Sequence, residues 1–185
     1  MLKTIKLILL DWDRYLKLHK KMNIILFLIV FLKNPGMLFS LLYRIEFSLV
    51  NSTFIIWKLI GFLLYPLYFV ITYYILDVDI SPRVKIGKSL YVHNRGIVIA
   101  DGVTAGNNLT LVGPITFGVK GLRTDYLSVP ILKNNVTVYT GARIIGNVHI
   151  GNNVVIGANA VVIKDISSNC VVGGVPAEVI KKVNV

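Results

Sequence analysis

In the stretch LYVHNRGIVIA, residues 90 to 100, a histidine stands beside an irregularity. Apolar residues recur every six positions on either side of it, and the spacing becomes seven inside it. His93 is one of three histidines, with His19 and His149. An imidazole with an ordinary pKa of about 6.5 is neutral often enough near neutral pH to take a proton from a hydroxyl. Asn94 and Arg95 beside it offer hydrogen bonds and a positive charge to a bound substrate. A second break in the spacing is VKGLRTDYLSV, residues 119 to 129, where Lys120, Arg123, Asp125 and Tyr126 suit a polar or anionic ligand. Asp101 and Asp125 are candidates to orient His93, although spacing alone assigns neither. His149 is expected to face solvent, and His19 belongs to a basic helix. The single cysteine, Cys170, excludes an intrachain disulfide and a cysteine-based metal cluster. No metal site is expected.

These side chains need a scaffold, and the second half of the chain supplies a regular one. Leu132, Val138, Ile144, Ile150, Ile156 and Val162 lie six apart, and Val136, Ala142, Val148, Val154 and Ala160 follow them in step. Upstream, Ile99, Ala105, Leu111 and Phe117 keep the same interval, and Ile80, Ile86 and Val92 do so before the slip. A period of six is neither helical nor that of a simple strand. It predicts a mainly β solenoid: three hexads close one triangular coil of 18 residues, with Gly and Asn at the corners where left-handed backbone angles are needed. The 119–129 insertion is expected to project from one corner. The seven-residue spacing at His93 suggests a one-residue bulge that re-aims its side chain out of the coil.

Residues 1 to 78 follow a different pattern. Ile5, Ile8, Leu9, Trp12, Leu16 and His19 form one apolar helical stripe. Met22 to Leu32 and Met37 to Leu49 predict two more helices around the Asn34-Pro35-Gly36 turn, and Asn51-Ser52-Thr53 offers a cap for a fourth. The uncharged run LIGFLLYPLYFVITYYIL, residues 59 to 76, is long enough to cross a bilayer. Pro66 in its middle, four tyrosines along it and basic residues on both sides favour attachment in the interface plane. Burial in a soluble oligomer and a true span are the alternatives. The expected organisation is therefore a helical, membrane-associated region over 1–78 and a solenoid domain over 79–185.

Composition narrows the partners. The chain of 185 residues is 55% hydrophobic, only 16% charged, and carries a net charge of +11. A basic, apolar chain suits a membrane surface or an anionic ligand, and no nucleic-acid-binding signature is present.

The segments HNRGIVI, ITFG, GARIIGNVHIGNNVVIGANAVVIKD and VVGGVPAEVIKK resemble the hexapeptide-repeat acyltransferases, in the serine acetyltransferase-like branch. The helical leader with its FLKNPG turn is similar to those of bacterial capsule and exopolysaccharide O-acetyltransferases. The resemblance implies a left-handed parallel β-helix, a homotrimer, and acetyl transfer from acetyl-CoA to a hydroxyl, with His93 as the general base. It further implies that Gly141 and Ala142 present backbone amides to the thioester, that Gly157 and Ala158 match the next coil, and that Lys164, Lys181 and Lys182 neutralise CoA phosphates. Asn94, Arg95, Arg123, Asp125 and Tyr126 would contact the acceptor. Three departures stand out: Val92 where serine acetyltransferases carry aspartate, Val129 where they carry a second histidine, and Gly113 where relatives carry a polar side chain. On those grounds the expected acceptor is a surface-polysaccharide sugar or lipid-linked glycan at the cytoplasmic face of the inner membrane. The alternatives are a serine O-acetyltransferase of cysteine biosynthesis and a non-enzymatic trimeric scaffold.

Overall fold

The computed structural model describes residues 2–17, 24–121 and 128–183. Five stacked coils occupy the second half. The first holds strands β1 (Val78–Ile80), β2 (Lys85–Ile86) and β3 (Tyr91–His93); the second β4 (Ile97–Ile99), β5 (Thr104–Ala105) and β6 (Thr110–Val112). The third holds β7 (Ile115–Gly118), β8 (Ile131–Leu132) and β9 (Thr137–Val138); the fourth β10 (Arg143–Ile145), β11 (His149–Ile150) and β12 (Val154–Ile156). The fifth has β13 (Val161–Val162) and β14 (Cys170–Gly173), against which β15 (Glu178–Lys182) returns antiparallel. Each coil gives one strand to each of three parallel sheets: β1-β4-β7-β10-β13, β2-β5-β8-β11, and β3-β6-β9-β12-β14. This is the expected left-handed parallel β-helix.

The hexads explain the packing. Alternate residues of every short strand point inward, and Ile80, Ile99, Phe117, Ile144 and Val162 form one buried column. The corners carry the left-handed residues that the composition anticipated. Asn108, Asn135, Asn153 and Asn169 have φ between 58°, 59°, 56° and 61°, and their side-chain amides hydrogen-bond in a ladder at 2.7 Å per step. The ladder ties each coil to the next along one edge of the prism.

The first half is four helices: α1 (Leu2–Leu16), α2 (Ile24–Lys33), α3 (Pro35–Val50) and α4 (Ile55–Phe69), the last continued by a π-helical turn over Val70–Ile75. They close the open end of the solenoid, where β1, β2 and β3 would otherwise leave backbone groups unpaired. The closure uses side chains from three helices, one set for each side of the triangle. The Tyr68 hydroxyl donates to the Ile80 carbonyl at 2.6 Å. The Tyr43 hydroxyl donates to the Val84 carbonyl and accepts from the Ile86 N–H, while Arg44 donates to the Ile86 and Gly87 carbonyls. Asp11 accepts from the Leu90 N–H, and Tyr15 bonds both backbone groups of Val92. Arg44 and Asp11 also pair with each other at 2.8 Å, both fully buried.

The expected stripe on α1 is corrected by this arrangement. Ile8, Asp11 and Tyr15 are its buried residues, whereas Ile5 and Leu9 are exposed. The helix buries polar side chains because its target is a row of strand N–H and C=O groups. His19 lies outside the described residues. For α4 the N-cap is Phe54 rather than one of Asn51, Ser52 and Thr53.

Candidate functional site

Strand β3 places Tyr91 and His93 outward and Val92 inward, so ordinary alternation aims the imidazole away from the core. The extra residue comes after the strand. The Gly113 N–H donates to the His93 carbonyl and the Ile115 N–H to the Gly96 carbonyl, each at 2.9 Å. Asn94-Arg95-Gly96 therefore fills the corner that Gly113-Pro114 fills one coil later. Asn94 (φ 66°) and Gly96 (φ 76°) make this wider turn in left-handed conformation. The expected strand bulge is thus an enlarged corner, and it does not re-aim His93. Its effect falls on Gly113: a Cβ there would overlap the Arg95 carbonyl oxygen. The absence of a side chain at Gly113 is a steric consequence of the inserted residue.

Around His93 the helical cap and the solenoid meet. The Tyr91 and His93 rings stand 6.0 Å apart and nearly parallel, Arg14 lies 5.3 Å from the Tyr91 centroid, and Tyr15 packs on Tyr91 at 4.4 Å. Arg14 is itself fixed by bonds to the Ser89 and Leu109 carbonyls and the Thr110 hydroxyl. Opposite this row, α2 and α3 turn through 86° at Asn34. Gly36 lets the start of α3 reach β3, since a Cβ there would overlap the Val92 carbonyl oxygen. The result is a cleft of about 370 Å³ lined by Lys33, Asn34, Pro35, Val92, His93, Asn94 and Arg95. Lys33 and Asn34 belong to the site and were missed in the sequence because the Asn34-Pro35-Gly36 signal marks only a turn. The cleft suits a small acceptor: a base on one wall, with two cations and two amides around it.

Further up the same edge most side chains are small, with the exposed Tyr139 among them. Strand register stacks Val112, Tyr139, Gly157 and Gly173 above His93, and Gly113, Thr140, Ala158 and Gly174 in the column beside them. At about 4.8 Å per coil this strip runs roughly 19 Å from His93. The Gly141 N–H donates to the Pro114 carbonyl at 2.6 Å, the Ala142 N–H to the Tyr139 carbonyl and the Gly157 N–H to the Val172 carbonyl. Those amides are engaged within the coils, and the Ala142 side chain is buried, so the expectation that Gly141 and Ala142 present free amides is corrected. What the strip offers is close approach beyond Tyr139, at Gly157, Ala158, Gly173 and Gly174, with Ala158 exposed upon it.

The remaining candidates are dispersed. Lys181 lies on β15 opposite Val171, at the end of the β14 sheet. Lys164 follows β13, on a different corner from Gly141 and Gly157. Asp101 follows β4, and the 119–129 insertion follows β7, both on that same second corner. Asp101 is therefore separated from His93 by the width of a sheet. Lys120 packs over Gly146; Arg123, Asp125 and Tyr126 lie outside the described residues. A carboxyl absent from the candidates is Asp79, half-buried between Val78 and Ile80 on the outer face of β1. Burial, followed by the charge of Asp101, pushes its pKa up. Its one sequence signal is a charge at the outward position of an otherwise apolar strand. His149 is exposed and its Nδ1 stands 3.6 Å from Asp165. Among the described residues no group of three or more His, Cys, Asp or Glu side chains is arranged to hold a metal ion.

Residues 130–164 match the family described as bacterial transferase hexapeptide (six repeats). The solenoid carries the hexapeptide repeat. Its sequence relatives include the serine acetyltransferases of Buchnera aphidicola (39% identical over 110 residues, 59% of this chain and 42% of the relative) and Synechococcus elongatus (38% over 104 residues, 56% and 42%). A Staphylococcus aureus serine acetyltransferase is 37% identical over 106 residues, 57% of this chain and 49% of the relative. The match thus spans less than half the length of these curated relatives. Among solved structures, Neisseria gonorrhoeae serine acetyltransferase superposes with a TM-score of 0.79 at 24% identity, over 100% of this chain and 68% of that one. That likeness shows the fold. A serine acetyltransferase in complex with CoA superposes with a TM-score of 0.73 at 28% identity, over 96% and 70%. The similarity runs to serine acetyltransferases in both sequence and fold, and this overturns the expectation of a polysaccharide O-acetyltransferase acting on a glycan.

Proposed function

We propose that the chain is an acetyl-CoA-dependent O-acetyltransferase of the serine acetyltransferase type, with serine as acceptor. The observation that carries this reading is the cleft, into whose lining β3 and its corner bring His93 and Arg95 and the end of α2 brings Lys33. The 37–39% identity to serine acetyltransferases supports it. In this reading the serine carboxylate is held by Arg95 and Lys33, and Asn34 and Asn94 supply hydrogen bonds. His93 takes the hydroxyl proton as the oxygen attacks the thioester carbonyl. The carbon–sulfur bond breaks, the imidazolium returns its proton to the leaving thiolate, and O-acetylserine and CoA depart. General-base help of this kind is worth typically about 10² to 10⁴ in rate. The pantetheine arm would lie along Gly141, Gly157 and Ala158, which leave room for it.

Val92 and Val129 are both buried, Val92 among the residues that line the cleft, so in this reading His93 acts without an aspartate or a second histidine beside it. We further propose a homotrimer on the cytoplasmic side of the membrane, where acetyl-CoA is available.

The test is release of free CoA thiol from acetyl-CoA by the purified full chain with L-serine. Serine-dependent turnover that falls about 10²-fold or more in His93→Ala is expected. No serine-dependent release, or full activity in His93→Ala, would overturn the reading.

A further inference from the structure

The segment Ile55–Ile75 is 21 residues long and apolar nearly all round, and only 17% of its most apolar window is buried. Gly61, Tyr68 and Thr72 are its buried residues, while Phe62 and Leu63 are 80% and 78% exposed. A helix that is hydrophobic on every face belongs in a protein interior or in lipid. From Phe47 to Leu76 there is no acidic residue. Alongside this helix a second cleft of about 410 Å³ brings Lys58 and Arg83 together with Phe62, Tyr65 and a single carboxylate, Asp101. Exposed Leu2, Ile5 and Leu9 on α1, and Ile24, Leu28 and Leu32 on α2, extend the apolar surface of the helical cap.

We propose that α4 and its π-helical continuation seat the protein, lying in the interface plane, on a bilayer with anionic headgroups, and that the Lys58–Arg83 cleft receives a headgroup phosphate. Two observations choose this occupant and this orientation. The Gly61–Tyr68–Thr72 stripe is clamped to the cap, with Gly61 against Leu49 and Val50 and the Tyr68 hydroxyl on the Ile80 carbonyl. A helix held along one side over that length keeps its direction along the cap and offers only its remaining faces to lipid. The second observation is charge. A second copy seated on this cleft would set its own like charges against Lys58 and Arg83, whereas an anionic surface complements both them and the net charge of +11. Tyr65, Tyr73 and Tyr74, partly exposed on the same segment, suit the headgroup level.

The experiment is co-sedimentation of the full chain with phosphatidylglycerol or phosphatidylcholine vesicles, read with the emission of Trp57 on α4. Binding to phosphatidylglycerol about tenfold or more tighter than to phosphatidylcholine, with a blue-shifted emission, is expected. Phe62→Glu with Leu63→Glu should abolish sedimentation while leaving serine-dependent CoA release intact. Lys58→Glu with Arg83→Glu, which leaves the apolar face alone, should remove the lipid preference. Equal binding to both lipids overturns the proposal. So does a wild type that ignores vesicles and shrinks to a smaller assembly in the Phe62/Leu63 variant, since the face is then covered by a second copy.

Discussion

The Tyr15 hydroxyl donates to the Val92 carbonyl at 2.9 Å and accepts from the Val92 N–H at 2.7 Å, so one helical side chain completes the edge strand that carries His93. A neighbouring strand would make the same two bonds. Burial pushes the Tyr15 hydroxyl pKa far up, so it stays protonated and able to donate. Tyr15→Phe strands two buried backbone groups, and the expected loss is about 1 to 3 kcal/mol in a denaturant titration. Because β3 then frays at its outer edge, kcat should fall while the KM for acetyl-CoA holds. An unchanged kcat in a destabilised variant would confine Tyr15 to a structural role.

Arg95 and Lys33 reach the cleft from opposite sides, one from the enlarged corner and one from the end of α2. If they hold the acceptor carboxylate, Arg95→Ala and Lys33→Ala should each raise the KM for serine by about tenfold, with little change in kcat or in the KM for acetyl-CoA. Arg95→Lys should recover part of the loss, since it restores charge without the bidentate fork. Serinamide, which lacks the carboxylate, should be a poor acceptor for the wild type. Serinamide used as well as serine would remove this role from both residues.

Gly113 is held as glycine by the carbonyl of Arg95 one coil below. Gly113→Ala must displace the corner, and overpacking of that kind costs typically about 1 to 3 kcal/mol. The displaced corner carries Asn94 and Arg95, so the acceptor KM should rise with the loss of stability. A second variant, Gly121→Ala, has open space around its Cβ, with the strain of a positive φ as its main cost, and serves as the comparison. Equal effects from the two would show that the Arg95 contact carries no weight.

How much of this was legible in the sequence follows from the range of each interaction. The period of six is a local, repeated constraint: Val78 pairs with Ile97 and Ile97 with Ile115 by the same inward alternation, so the coils could be counted along the chain. The left-handed corners at Asn108, Asn135, Asn153 and Asn169 are equally local. His93 was legible because it stands beside the slip, but the slip was misplaced by a few residues, since spacing cannot tell a bulge from a wider turn. The cap was not legible. Asp11 meets Leu90, Tyr15 meets Val92 and Tyr43 meets Val84 across 79, 77 and 41 residues, and each contact ends on a backbone atom that leaves no mark on the partner's side chain. Hydrophobic periodicity chose Ile5 and Leu9 for the buried side of α1 because it has no means of recognising a face buried for hydrogen bonding. The acceptor assignment failed for a related reason: Val92 and Val129 register what is missing, while Lys33 arrives from the end of α2, far from His93 in the sequence.

Glu46 provides the final test, of the cap's electrostatics. It lies buried on α3, and among the described residues its Oε1 has no hydrogen-bond partner. Burial raises its pKa above the ordinary 4.5, and its charge helps to push up that of Tyr68 nearby. A carboxyl whose folded pKa is raised binds its proton more readily in the folded state than in the unfolded chain. Its unfavourable contribution is therefore absent below pH 4.5, grows as pH rises through the folded value, and is fully present above it. Glu46→Gln removes the charge while keeping the shape, so the variant should be more stable than the wild type near neutral pH. The difference should close as the pH is lowered towards 4.5. Urea titrations of both proteins across that range measure it directly. A difference that stays constant, or widens in acid, would mean that the Glu46 charge is compensated within the cap.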